Sequence, residues 1–235
     1  MITKGDCPMK GCYSICAGLI LLLTLGLIGR LHGQVSEWED RLRKDPANKE
    51  LLLNLGKHYH DLGGMEEDKR AVKKAEKYLS ALLEVDPENP VAMVYYGSVL
   101  TMKARDAFLP WNKLKYIKKG IAGMDRAVLI EPDNPEVRLI RGINSTSMPK
   151  NMDRLSVALE DFRTIEKLHR EKPIDMTKRF WLPYYYNFGL ALSMNAEFET
   201  AKEKFLKAID IDPESVYAGY ARRDLKKIGE ANDDR

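Results

Sequence analysis

Two histidines two residues apart, His58 and His60, are the nearest this 235-residue chain comes to an acid–base or metal site. On a helix such a pair points in two directions, so the rings cannot converge on one ion or one substrate. A structural or catalytic metal needs three or four convergent ligands, and neither HExxH nor CxxC occurs beyond residue 33. His58 and His60 therefore read as exposed helix residues. Gly63-Gly64 reads as a turn, with no Lys-Ser/Thr behind it to build a phosphate loop. Asn144-Ser145-Thr146 has the form of a glycosylation sequon but falls inside an expected helix. Asp153, Glu160 and Asp161 read as solvated helix faces. No catalytic residue, cofactor site or metal site is expected, and the chain reads as a non-enzyme.

What remains is chemistry for contact. Phe108-Leu109-Pro110-Trp111 places two aromatics beside a proline, a composition suited to an interaction loop. The preference of large apolar groups for burial argues instead that Trp111 folds back over a helix pair. Trp181-Leu182-Pro183-Tyr184-Tyr185-Tyr186 is a similar aromatic cluster beside a proline. The formal net charge of +3 is finely interspersed, which is no electrostatic footprint for nucleic acid.

The first 33 residues are a different material. Lys4 and Lys10 precede an apolar run from Gly11 to Gly29, closed by Arg30 and His32. Its length lies between a signal-peptide core and a membrane span. No small residue stands three places before a cut at Leu31-His32-Gly33, which favours an uncleaved signal-anchor over a cleaved signal. The positive residues ahead of the run favour an extracytoplasmic domain, although Arg30, Arg41, Arg43 and Lys44 blunt that rule. All three cysteines, Cys7, Cys12 and Cys16, lie in this segment, so the rest of the chain has no disulfide framework.

The elements that position everything else recur. Tyr185-x-x-Phe188-Gly189-x-x-Leu192, then Ala201-x-x-x-Phe205-x-x-Ala208, then Pro213, closely follows a two-helix repeat of about 34 residues. Pro87 and Pro132 end similar units, and Pro46 ends a lone leading helix. Leu52, Leu55, Gly56, Tyr59, Ala75, Leu79 and Leu82 fit a first unit; Met93, Tyr96, Gly97, Leu100, Gly120, Met124 and Ala127 a second. Gly142, Ala158, Phe162 and Ile165 fit a third. Over residues 35–229 the chain resembles the tetratricopeptide repeat (TPR) family, and its general look is similar to membrane-tethered bacterial TPR proteins. The resemblance implies an all-α solenoid of about four helical hairpins at roughly 49–89, 90–134, 135–173 and 182–215, after an N-terminal hydrophobic helix. A closing helix at 216–229 carries Arg222, Arg223, Lys226 and Lys227 outward. Excesses of about seven, about eleven and about four residues over the family spacing are expected between paired helices.

By family register, Tyr185 takes the family's tryptophan position in the core, with Tyr184 and Tyr186 pointing elsewhere, and the concave surface is lined by Leu53, Lys57, Val94, Ser98, Leu139, Ile143, Tyr186 and Leu190, with His60, Thr101, Thr146 and Ser193 beside them. Such a surface suits a protein segment with apolar anchors. Leu53 stands where a carboxylate clamp needs a charged residue, so acidic chaperone tails are not the expected ligand. The resemblance implies a membrane-tethered adaptor for a protein partner. Self-assembly of the solenoid into a homo-oligomer, or service as an accessory subunit of a membrane transporter or envelope enzyme, are the other readings.

Overall fold

The starts of the hairpins share one short code. In Asp45-Pro46-Ala47-Asn48, Asp86-Pro87-Glu88-Asn89 and Glu131-Pro132-Asp133-Asn134 the proline ends one helix and the asparagine caps the next. The asparagine oxygens accept from backbone N–H groups inside the new helix: Leu51 at 3.1 Å, Ala92 at 2.9 Å, Glu136 at 2.9 Å. Ser215, three residues after Asp212, does the same for Ala218 at 3.1 Å. The cap N–H returns to the acid's carbonyl at 3.1–3.2 Å in every case. Pro90 and Pro135 then occupy the first turn, where no intrahelical donor is lost.

The structure is a computed structural model that describes residues 33–65 and 67–233. The apolar run and its three cysteines, with the expected anchor or signal peptide, lie outside these residues. Helix α1 covers 33–44. Four hairpins follow: α2 (Lys49–Met65) with α3 (Lys69–Val85), α4 (Pro90–Asp106) with α5 (Pro110–Ile130), α6 (Pro135–Thr146) with α7 (Leu155–Glu171), and α8 (Lys178–Met194) with α9 (Phe198–Ile211). A 3-10 turn, Lys150–Met152, precedes α7, and α10 (Val216–Asp233) closes the stack. The fold is all-α.

Turns within hairpins do not share a code. Glu67, Asp153 and Ala196 each take a left-handed backbone there, with φ of 52°, 50° and 62°, at roughly 1–2 kcal/mol apiece for a residue with a Cβ. Gly63-Gly64 is not the first turn. Both lie inside α2 with negative φ, and a Cβ on Gly63 would stand 2.7 Å from the Val72 side chain. That glycine serves close helix packing instead. The residues in excess of the family spacing largely lengthen helices, α5 reaching 21 residues. Helix α8 begins at Lys178, ahead of the expected start at Leu182, and carries Pro183 inside it.

Packing follows the expected pairs. Gly97 and Gly120 bring α4 and α5 so close that a Cβ on either would lie 2.6–2.7 Å from the other's carbonyl oxygen. One core cluster runs from Leu52 through Leu79, Val94 and Met124 to Ile140, and a second from Leu139 through Phe162, Phe188 and Phe205 to Ile228. Helix α6 contributes one face to each. Trp38 and Leu42 of α1 rest on the first cluster, and Glu39 accepts from Tyr59 Oη at 2.8 Å, Tyr78 Oη at 3.1 Å and Lys74 Nζ at 3.2 Å.

Candidate partner-binding face

Helices α2, α4, α6, α8 and α10 touch in succession, while α3, α5, α7 and α9 make their main contacts only with first helices on either side. The first helices thus form the tight inner row and the second helices the splayed outer row of a curved stack. Two clefts open between splayed second helices. The larger, about 530 Å3, is lined by Glu76, Tyr96, Lys103, Tyr116, Lys119 and Arg126 among others; the smaller by Trp181, Tyr185, His169 and Lys207.

The residues assigned to the concave surface by register separate into two groups. Val94 and Leu139 are buried core residues. Tyr186 is also buried, against Phe205, Tyr217 and Tyr220, and donates its hydroxyl to Asp224 at 3.1 Å. None of the three offers a partner an apolar anchor, because successive first helices pack on these side chains. Leu53, Ile143 and Leu190 are half-buried against the two clusters. Lys57 pairs with Glu136 and lies 5.4 Å from the Tyr95 ring centre. Ser98 is 2% exposed and takes part in a polar row.

That row is what the inner face presents. His60 Nδ1 lies 2.9 Å from Asp61 Oδ1, and His60 Nε2 lies 2.8 Å from Ser98 Oγ. Asn144 Nδ2 donates to Ser98 Oγ at 3.0 Å, and Thr101 Oγ1 donates to Asn144 Oδ1 at 2.7 Å. Residues of α2, α4 and α6 are thereby joined side by side. Asp61 also pairs with Arg179 at the start of α8, linking the first hairpin to the fourth. Burial pushes the Asp61 carboxyl up, but His60 and Arg179 outweigh it and hold the group below the usual carboxylate range. Burial and the neighbouring carboxylates of Glu136 and Asp61 drive the Tyr95 phenol well above its ordinary value.

Asp61, His60 and Ser98 stand in the hydrogen-bond order of a Ser–His–Asp relay. Ser98 is nevertheless sealed inside α4, where the backbone N–H groups that would stabilise an oxyanion are committed to the helix. This trio is a clamp between helices. His60 is buried, not the exposed helix residue that its sequence context suggests. Asn144 of the sequon is likewise taken up in the row, and Ser145 and Thr146 are buried.

Asp161 is a second correction. It is fully buried, with Arg138 Nη1 at 2.8 Å and Arg141 Nε and Nη2 each at 2.8 Å. Asp125 accepts from Arg141 at 3.2 Å and Arg154 at 2.6 Å. Burial raises the Asp161 carboxyl against the pull of both arginines. The helix period does put Asp161 on the same side as Ala158 and Ile165, and that was the available signal. Tyr184 and Tyr186 are buried and Tyr185 is half-buried, the reverse of the expected order. Phe108 and Trp111 are 96% and 66% exposed, so Trp111 does not fold back over a helix pair.

Among the described residues no group of His, Cys, Asp or Glu is placed to hold a metal ion, and no helix is long and apolar enough to cross a membrane. No protein-family model and no curated protein matches the sequence. Solved structures do. TTC0263, a thermophilic TPR protein of Thermus thermophilus, matches at 16% identity and a TM-score of 0.62 over 89% of this chain and 96% of its own. MamA matches at 20% identity and 0.47, over 80% of this chain and 92% of its own. YrrB, described as a TPR protein with an unusual peptide-binding site, matches at 21% and 0.45, over 85% and 87%. The paired helices, their glycine contacts and the likeness to TTC0263 agree: this chain has the tetratricopeptide-repeat fold.

Proposed function

We propose that the protein is a membrane-tethered, non-catalytic adaptor whose inner face holds an extended segment of a partner protein. The observation that carries this reading is the polar row capped by Asp61 and Arg179. Asp61, Thr101 and Asn144 are its half-buried members, one on each of three consecutive first helices, and Arg179 is largely exposed. An extended segment presents unpaired backbone N–H and C=O groups at regular intervals, and these match such a row better than apolar anchors would. The tether is the apolar run of residues 11–29, and the repeat domain then stands outside the cytoplasm.

The test is co-purification of the full chain from its native membranes, comparing wild type with Arg179→Glu. Loss of a stoichiometric partner in the variant supports the reading, and unchanged recovery contradicts it. Val216 and Tyr220 on α10 are exposed beside Arg222 and Arg223. This favours end-to-end self-assembly as the second reading, and it predicts recovery of the protein alone in large species.

A further inference from the structure

Phe108, Trp111 and Leu114 are 96%, 66% and 46% exposed; Trp111 and Leu114 lie in the first turns of α5, and Phe108 just ahead of it. Trp111, Leu114, Lys115 and Lys118 stand at i, i+3, i+4 and i+7, which is one helix face. It is opposite Gly120 and Met124, the residues that meet α4. Lys119 borders it, and Lys113 stands on the other side of the same first turn, both exposed. Between Ala107 and Met124 there is no acidic residue. The chain balances its charges elsewhere, so this face is locally basic and apolar together.

We propose that this face is a second, peripheral contact with an anionic lipid bilayer, in which Phe108 and Trp111 enter the headgroup boundary and the lysines meet lipid phosphates. Trp and Phe beside lysines, over a stretch of chain with no acid, is the composition that seats in that boundary, and each lysine adds attraction to an anionic surface. The position in the fold agrees. Glu39 of α1 bonds Tyr59 of α2, and the short 45–48 link makes the two helices antiparallel. Residue 33, where the chain arrives from the apolar run, is therefore level with the C-terminal end of α2. Gly64 at that end lies within reach of Met102, less than two helical turns before Phe108. The tether and the aromatic turn thus share one end of the stack. The choice of that end rests on the tether proposed above; the lipid contact of α5 does not.

The test uses the full chain reconstituted into vesicles of phosphatidylcholine with or without phosphatidylglycerol, the acyl chains brominated to quench tryptophan. The Trp111 component is the emission difference between wild type and Trp111→Phe. It is expected to be quenched in the anionic vesicles, and to lose that quenching in neutral vesicles and when Lys113, Lys115, Lys118 and Lys119 are all replaced by Glu. Absence of quenching in anionic vesicles would overturn the proposal, as would equal quenching with and without phosphatidylglycerol. A concentration-dependent blue shift in detergent with no bromine quenching would assign the face to a second copy and overturn it too. Carbonate extraction of the same vesicles reads the tether separately, so release of the protein contradicts the anchor and not this contact.

Discussion

Asp61 near the end of α2 and Arg179 at the start of α8 form an ion pair although 118 residues separate them in sequence. The pair exists only because the inner row of first helices curves the fourth hairpin back toward the first. Arg179 is mostly solvent-exposed, so the pair is screened and holds little of the fold together. Arg179→Glu is expected to change stability by less than about 1 kcal/mol. Urea unfolding of variant and wild type checks this, and a loss several times larger would make the pair a structural closure of the stack and not a binding element.

Asp161 behaves oppositely. Its carboxylate is buried between Arg138 and Arg141, and removing it takes the shared buried counter-charge from two buried guanidiniums, leaving them only the more exposed Glu160 and Asp125. Asp161→Ala is expected to cost about 3–5 kcal/mol. Glu160→Ala, one residue earlier but exposed and only 3.3 Å from Arg138, should cost no more than about 1 kcal/mol. Denaturant midpoints for the two variants decide whether burial or mere proximity to arginine sets the cost.

The helical glycines give a prediction of opposite signs. A Cβ on Gly189 would lie 2.8 Å from the ring of the buried Phe205 and 3.2 Å from the Ala201 carbonyl oxygen. Gly189→Ala forces α8 and α9 apart and should destabilise by roughly 1–3 kcal/mol. Gly219 of α10 has nothing within 4 Å of the same position, so Gly219→Ala should stabilise by roughly 0.5–1 kcal/mol through helix propensity alone. Thermal melts of the two variants should move in opposite directions.

Acid should loosen α1. Burial raises the Glu39 carboxyl, but hydrogen bonds from Tyr59, Lys74 and Tyr78 outweigh it and leave the folded value depressed. The resulting stabilisation is complete above the unfolded value of about 4.3 and disappears as pH falls through the depressed folded value. Wild type should therefore melt higher than Glu39→Gln at neutral pH, and the two should converge at the acid end. A gap that widens on acidification would show that Glu39 is not ionised in the folded protein.

The hairpins were legible because their determinants are local. Asn48, Asn89, Asn134 and Ser215 cap helices with donors three residues away or fewer, and Gly189, Ala201 and Phe205 meet within one unit. The inner face was not. Register points to Ser98, His60 and Thr101, which the structure joins in one polar row, yet it could not say that Val94, Leu139 and Tyr186 are consumed by packing between hairpins. The Asp61–Arg179 pair and the Asp161 cluster depend on side chains from separate helices meeting; the helix period sets Asp161 with Ala158 and Ile165, but no spacing along the chain names the arginines that meet it. Exposure of Trp111 ran against the general preference for burial, because α5 continues past its contact with α4 and leaves its first turns uncovered.

The central claim is that the polar inner face holds a partner segment, and co-purification of the full chain from its native membranes, read by mass spectrometry, tests it most directly. Wild type should bring down one stoichiometric partner, and Arg179→Glu, equally helical by circular dichroism, should lose it. Recovery of the same partner at the same ratio with the folded variant would contradict the claim and place the interaction elsewhere on the solenoid.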